Sequence, residues 1–249
     1  MSTRLEPSGI ATLTIDNSAR LNIVNRRVLR ALIDAAEALT ALPELRVVVL
    51  RGAGDRAFIG GADIAEMASL DTATARGFIT EVHRACDVFR CMPVPVIARI
   101  QGYALGAGLE IAAACDLRVA SDDARFGMPE VRVGIPSVVE AALLPGLIGW
   151  GRTRRLLLTG EMIDAAQALA WGLVEEVTRP DALDPAVAKL ADAILAAGPR
   201  AVRLQKELIR QWEDLPVAEA VARGIDCFVR SWETDEPAGM MGSFLERRR

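Results

Sequence analysis

The hydrophobic positions of the first half of the chain alternate between two periods. Apolar residues recur at every second position in 11–16 and form a continuous, valine-rich run within 46–51 (RVVVLR), which predicts two strands. Between them, 27–42 keeps its apolar residues on one helical face and is predicted to be a helix. The same patterns predict a helix over 71–90 and strands over 96–100 and 116–120. Strands that alternate with helices indicate an α/β layer architecture.

The second half is predicted to be mainly helical. From about Ser137 onward one short strand is expected, at 173–178, and the helices are separated by prolines. Several apolar residues of the last third recur at helical spacing that a single β/α core does not cover. They are Trp212, Val221, Ile225, Phe228 and Trp232. Their pattern predicts burial against a partner subunit, in a trimer or a hexamer.

Composition restricts the function classes. The 249 residues carry 29 Lys+Arg and 33 Asp+Glu, a formal net charge of −4, which argues against a strongly basic nucleic-acid binder. No apolar stretch approaches the roughly 18 residues of a membrane span, and the first residues show no export signal. The four cysteines form no C-x-x-C pair and there is one histidine, so no zinc ligand set is expected. We expect a cytoplasmic protein without a metal.

His83 is the only imidazole in the chain. It lies in the helical pattern of 71–90, so it is predicted to be a polar or rim residue of a packed helix and not a catalytic one. Chemistry is therefore expected to depend on carboxylates, backbone amides or a cofactor.

The glycine-rich segment 101–116 lies between a predicted strand and a short apolar helix. A dinucleotide fingerprint starting at Gly106 would need glycine at position 111, which is Ile111. A tight turn without a ligand is the alternative for the glycines alone. Glu110, however, stands in an otherwise apolar helical turn, where burial raises the pKa of a carboxyl group toward the range that suits acid-base chemistry.

Two further loops suggest partners for Glu110. Glu130 follows a predicted strand in the apolar sequence FGMPE, and a pair of carboxylates can hold and activate water. A glycosidase also uses two carboxylates, but the chain is poor in aromatic residues for stacking sugars. The third loop contains Gly60 and Gly61 after a buried strand. Two glycine-rich turns that present amides to one site would form an oxyanion hole.

Four motifs together resemble the enoyl-CoA hydratase/isomerase family, the crotonases. They are FIGGADI at 58–64, GYALGAGLE at 102–110, FGMPE at 126–130 and LLLTGE followed by GLV within 156–174. The resemblance implies a crotonase-like spiral of ββα units, with a core at 1–190 that carries the acyl-CoA site and a helical oligomerisation segment at 191–249. It also implies a homotrimer or a dimer of trimers, and no cofactor other than the coenzyme A of the substrate.

The resemblance also assigns roles to residues of this chain. The backbone N–H groups of Ala62 and Ala107 would form the oxyanion hole, Glu110 would accept a proton from water, and Glu130 would deliver one to Cα. The implied reaction, typical of fatty acid metabolism, is the reversible hydration of a 2-enoyl-CoA to a 3-hydroxyacyl-CoA. The residues implied to bind the substrate are Arg56, Gly61, Asp63, Ile64, Gly106, Ser137, Val138, Phe244 and Arg247.

One segment departs from the family pattern. Many hydratases have P-G-x-G-G-T-Q-R-L where this chain has GIPSVVEAA at 134–142, so we expect Val138 and Val139 to narrow the acyl end of the site. Glu140 is expected on a solvated helix face. An isomerase that uses Glu130 as its sole base remains an alternative. An RNA-binding relative is disfavoured by a pI near 5.3 and by only two lysines.

Overall fold

The computed structural model describes residues 1–246 of the chain. Strands and helices alternate through the first half, as predicted from the sequence. Its elements are β1 (Ser2–Leu5), β2 (Ile10–Ile15), α1 (Arg26–Thr40), β3 (Val47–Gly52), β4 (Ala57–Ile59), α2 (Ile64–Met67), α3 (Ala75–Arg90), β5 (Val96–Ile100), β6 (Tyr103–Leu105), α4 (Ala107–Ala114), β7 (Leu117–Ser121) and β8 (Arg125–Gly127).

The second half is mainly helical, which confirms the sequence-based expectation. Its elements are α5 (Leu144–Ile148), α6 (Trp150–Thr159), β9 (Met162–Asp164), α7 (Ala165–Trp171), β10 (Glu176–Thr178), α8 (Leu183–Leu195), α9 (Pro199–Trp212), α10 (Val217–Ser231) and α11 (Glu236–Glu246). Short 3₁₀ turns lie at Pro129–Val133 and Val139–Leu143.

A six-stranded sheet forms the centre of the molecule, in the order β1-β2-β3-β5-β7-β10. All neighbouring pairs are parallel except β1 with β2. Helices α1 and α3 cover one face, and α8 covers the other through Leu183 and Val187. Because both faces are covered, β3 and β5 read as continuous apolar runs, the pattern expected of a buried parallel sheet.

A smaller sheet, in the order β4-β6-β8-β9, positions the candidate site. The first three strands run parallel, with Ile59 paired to Ala104 and Leu105 paired to Gly127. Their carboxyl ends therefore meet at one edge. The three loops singled out in the sequence follow directly after these three strand ends, so the sheet brings them together.

The predicted boundaries differ from the observed ones for physical reasons. The helix expected from Asp71 begins at Ala75, because the Asp71 carboxylate accepts the N–H groups of Ala73 and Thr74 in a turn before it. The pattern also missed β1, β4, β6, β8 and β9. These strands have only three or four residues, too few for an alternating pattern to be recognised.

The C-terminal helices attach to the core and leave an apolar surface. The Lys206 ammonium of α9 is buried and donates to the carbonyls of Phe89 and Val94 and to Asp116. Helix α10 exposes large apolar side chains to solvent: Val217, Val221, Ile225, Phe228 and Val229.

The proposed division of the chain at residue 190 falls within α8 and stays a prediction. In residues 1–246 no helix is long and apolar enough to span a membrane.

Candidate active site

The loops after β4 and β6 are in direct contact. Gly61 has a φ of +112°, a conformation that suits glycine, and a Cβ at this position would lie 3.2 Å from the Leu105 carbonyl oxygen. The two glycine-rich turns thus stand side by side at the sheet edge. Two glycine-rich turns that face one site were considered from the sequence, and the parallel pairing of β4 and β6 brings the turns together.

The loop after β8 closes on the same place. Gly106 has a φ of +52°, and a Cβ there would lie 2.3 Å from Oε1 of Glu130. Only a residue without a side chain leaves room for the carboxylate at this distance. Gly106 therefore both turns the chain into α4 and admits Glu130 beside the start of that helix.

The backbone N–H groups of Ala62 and Ala107 follow the two glycines. Ala107 is the first residue of α4, where helical geometry provides no acceptor for its N–H group. Within residues 1–246, neither N–H group has a hydrogen-bond acceptor in the protein. Two such donors on adjoining turns are the arrangement that an oxyanion hole requires.

Glu110 lies on the first turn of α4 and is only 5% exposed. Its Oε1 accepts the Ala141 N–H at 3.3 Å. Burial, followed by the nearby Glu130 charge, raises the pKa of Glu110 to about 8, against the opposing effect of the backbone hydrogen bonds. The sequence-based expectation of a buried carboxyl group with a raised pKa is met.

Glu130 is held by a residue of the segment that departs from the family pattern. Ser137 Oγ donates to Glu130 Oε2 at 2.7 Å. The same segment reaches Glu110 through the N–H groups of Val138 and Ala141. These contacts were not predictable from the sequence, because backbone donors and a single serine form no recognisable pattern.

Val139 has an unusual backbone in this segment. Its φ is +38°, a left-handed conformation that a β-branched residue rarely adopts. Its neighbour Val138 has an ordinary φ of −137°. Val139 packs against the main core, whereas the Val138 side chain is partly exposed. The strained backbone of Val139 thus lies in the segment that contacts the two carboxylates.

The expectation for Glu140 was wrong. It was placed on a solvated helix face, but its side chain is 4% exposed, and Oε1 lies 2.7 Å from Nδ1 of His83. The Val139–Leu143 turn packs against α3 and α4 and points this residue inward, which helical periodicity cannot reveal for a 3₁₀ turn. His83 lies on α3 with its side chain about half exposed, in agreement with its predicted place at the rim of a packed helix.

The remaining predicted substrate-binding residues are more dispersed. Arg56 directly precedes β4, at the end of the strand away from the glycine-rich loop, whereas Ile64 begins α2 after that loop; both residues are exposed. The Asp63 carboxylate is occupied, since it accepts the Ala65 N–H and pairs with Arg20 at 3.1 Å. Phe244 is half exposed on α11, and its proposed contact with coenzyme A stays a prediction. Arg247 lies outside the described residues. Across 1–246, no group of three or more His, Cys, Asp or Glu side chains could hold a metal ion.

Comparisons with known proteins show which family and which solved structures the chain is similar to. The family model described as Enoyl-CoA hydratase/isomerase matches residues 6–249. The crotonyl-CoA hydratase of Syntrophomonas wolfei is 36% identical, covering 96% of this chain and 93% of that protein. The short-chain-enoyl-CoA hydratase of Clostridium acetobutylicum is 34% identical, covering 98% and 95%. The crystal structure of a Mycobacterium smegmatis enoyl-CoA hydratase superposes with a TM-score of 0.96 at 29% identity, covering 100% of this chain and 96% of that one.

Proposed function

Since the chain belongs to the enoyl-CoA hydratase/isomerase family, we propose that it reversibly adds water to a 2-enoyl-CoA thioester to give a 3-hydroxyacyl-CoA. The predicted crotonase-like fold is confirmed by the close superposition with solved hydratases. The observation that carries the proposal is the presence of two carboxylates, Glu110 and Glu130, beside two N–H donors at one sheet edge.

The oxyanion hole is assigned to the N–H groups of Ala62 and Ala107. Attack of water on Cβ moves negative charge to the thioester oxygen, and donors fixed in advance stabilise that charge without rearranging. Removal of one such donor raises a barrier by about 3 kcal/mol in comparable sites. Both donors belong to the backbone, so their positions depend on Gly61 and Gly106.

The two glutamates divide the proton transfers. Glu110 takes a proton from the attacking water, and Glu130 gives one to Cα. Because its pKa is raised to about 8, Glu110 in the free protein carries a proton near neutral pH. This is the state needed to protonate the leaving hydroxyl in the reverse reaction.

The second candidate is a double-bond isomerase of the same family. It needs only Glu130, which would move one proton between carbon atoms. Glu110 favours hydration, because an isomerase has no water to activate and no need of a second carboxyl group with a raised pKa.

Residues of the site and of α10 indicate how the substrate binds and how the chain assembles. We assign the acyl end to Ser137 and Val138, and the coenzyme A phosphates to exposed Arg56. Two similar proteins bear the names crotonyl-CoA hydratase and short-chain-enoyl-CoA hydratase, so crotonyl-CoA is the first substrate to test. The apolar surface of α10 supports assembly with further copies of the chain, and we propose a homotrimer or a dimer of trimers.

Product analysis tests the function. The protein is incubated with enoyl-CoA and 3-hydroxyacyl-CoA thioesters of several chain lengths, and the products are identified by mass spectrometry. Hydration increases the substrate mass by one water, whereas isomerisation leaves it unchanged. A shifted alkene without added water, formed equally well by Glu110→Gln, would replace the hydratase assignment with the isomerase one.

A further inference from the structure

Glu140 is a buried acidic side chain that the proposed reaction does not use. It is 4% exposed, and its Oε2 has no hydrogen-bond partner in residues 1–246. Buried carboxylates without full hydrogen bonding destabilise a fold, so such a group generally has a functional reason. For Glu140, the neighbouring groups on its two sides provide that functional reason.

On its outer side, Glu140 reaches solvent through His83. Oε1 lies 2.7 Å from Nδ1, and the imidazole side chain is about half exposed. An imidazole readily takes up and releases protons near neutral pH. The pair therefore links the interior to bulk water at the α3 surface.

On its inner side, Glu140 adjoins Glu110. The next residue, Ala141, donates its N–H to Glu110 Oε1. The buried thiol of Cys86, one turn after His83 on α3, faces both carboxylates: burial first, then the charges of Glu140 and Glu110, raise its pKa. The groups facing Glu140 are thus His83 and Cys86 from α3 and Glu110 from α4.

The reaction creates a need for such a link, and this step rests on the proposed function. Hydration leaves a proton on Glu110 and removes one from Glu130. Each turnover therefore ends with the two carboxyl groups in the opposite protonation states from those that started it. Glu130 is only partly buried and can exchange with water in the open site. Glu110 is 5% exposed and contacts water only inside the site, so it exchanges protons with bulk water less readily than Glu130 does.

We propose that Glu140 and His83 form a proton path between Glu110 and solvent. In the hydration direction, Glu110 passes its proton to the Glu140 carboxylate. Glu140 then passes it to the free nitrogen lone pair of His83, and the imidazolium releases it to water. Dehydration uses the reverse sequence. Every step moves a proton alone, so no electrons or other reactants are required.

The test separates the first turnover from later ones. The variants are Glu140→Gln and His83→Phe, with Arg84→Gln, an exposed neighbour on α3, as the matched control. Dehydration of a 3-hydroxyacyl-CoA is measured with enzyme in excess and again in steady state. The free enzyme already holds the proton on Glu110, so we expect an unchanged single-turnover rate and a fall in steady-state kcat of about tenfold or more. Added imidazole should restore kcat in His83→Phe.

Three results would overturn the path. Wild-type kcat in both variants shows that Glu110 exchanges protons by another route. An equal loss in the single-turnover and steady-state rates, without imidazole rescue, shows that the pair only supports the fold. A wild-type protein that adds no water to any thioester removes the proposed function and the path with it.

Discussion

Ser137 and Glu130 are joined by a 2.7 Å hydrogen bond from the serine Oγ to the carboxylate Oε2. This contact places the segment that departs from the family pattern against one of the two carboxylates, while Ala141 of the same segment contacts the other. The segment therefore orients the acid-base pair in addition to any contact with the acyl chain.

Ser137→Ala should lower kcat about tenfold or more with little change in KM. A hydrogen bond to a charged group contributes about 1.5–3 kcal/mol, and its loss frees Glu130 to rotate away from Cα. Ser137→Thr keeps a hydroxyl and should recover most of the activity. Steady-state kinetics on crotonyl-CoA provide the measurement, with exposed Ser69→Ala as the control. A rise in KM alone would show that Ser137 acts only by contacting the substrate and does not orient Glu130.

Glu110→Gln and Glu130→Gln should each lower kcat by at least about 10²-fold, because glutamine keeps the size but cannot exchange a proton. Acyl-CoA binding should be largely retained, as isothermal titration can show. Exposed Glu44→Gln is the matched control for the same chemical change. Full turnover in Glu110→Gln would contradict its role with water.

Stability should depend on pH through Glu110. Its pKa is raised from 4.5 to about 8, so the folded state prefers the protonated form. The stability that protonated Glu110 contributes to the fold is fully present below pH 4.5 and is lost as the pH rises through about 8. Urea unfolding at fixed protein concentration should show the wild type losing stability relative to Glu110→Gln between about pH 5 and pH 9. A difference that stays constant over this range would contradict the raised pKa.

At Val139, the usual order of stability between alanine and glycine variants should be reversed. Glycine normally lowers stability by about 0.5–1 kcal/mol relative to alanine. At a φ of +38°, however, alanine keeps the strain that glycine removes. Val139→Gly should therefore be at least as stable as Val139→Ala in chemical denaturation. Val138, with its extended backbone, is the control and should show the ordinary order.

The oligomer should depend on the apolar surface of α10. Phe228→Asp and Ile225→Asp each put a charge on an exposed apolar position, and we expect the mass from light scattering to fall to that of the monomer. Glu219→Ala, on the same helix, should leave the mass unchanged. A monomeric wild type at micromolar concentration would show that this surface has another use.

Long elements and backbone turns were the predictable part of the structure. Strands such as β5 and helices such as α3 were recognised because their periodic patterns extend over five to sixteen residues. Glu110 was recognised because a carboxylate in an apolar helix is unusual. The glycines flanking Ala62 and Ala107 indicated turns that carry free amides.

The contacts of the 134–142 segment were not predictable. Whether Glu140 points outward or inward depends on how a 3₁₀ turn packs against α3 and α4, and no local pattern encodes that packing. Likewise, the 2.7 Å contact with His83 joins residues 57 positions apart. An isolated histidine on a helix gives no indication of such a distant partner.

The buried Lys206 ammonium has a consequence for synthesis on the ribosome. Its partners Phe89, Val94 and Asp116 are translated about a hundred residues earlier, and Asp116 also accepts the N–H of Val96 at the start of β5. Until α9 leaves the exit tunnel, the nascent sheet carries a carboxylate and two carbonyls that only water can satisfy. The final closure of the core therefore waits for α9, and a chain stalled before residue 206 would expose these unpaired polar groups to chaperones and proteases.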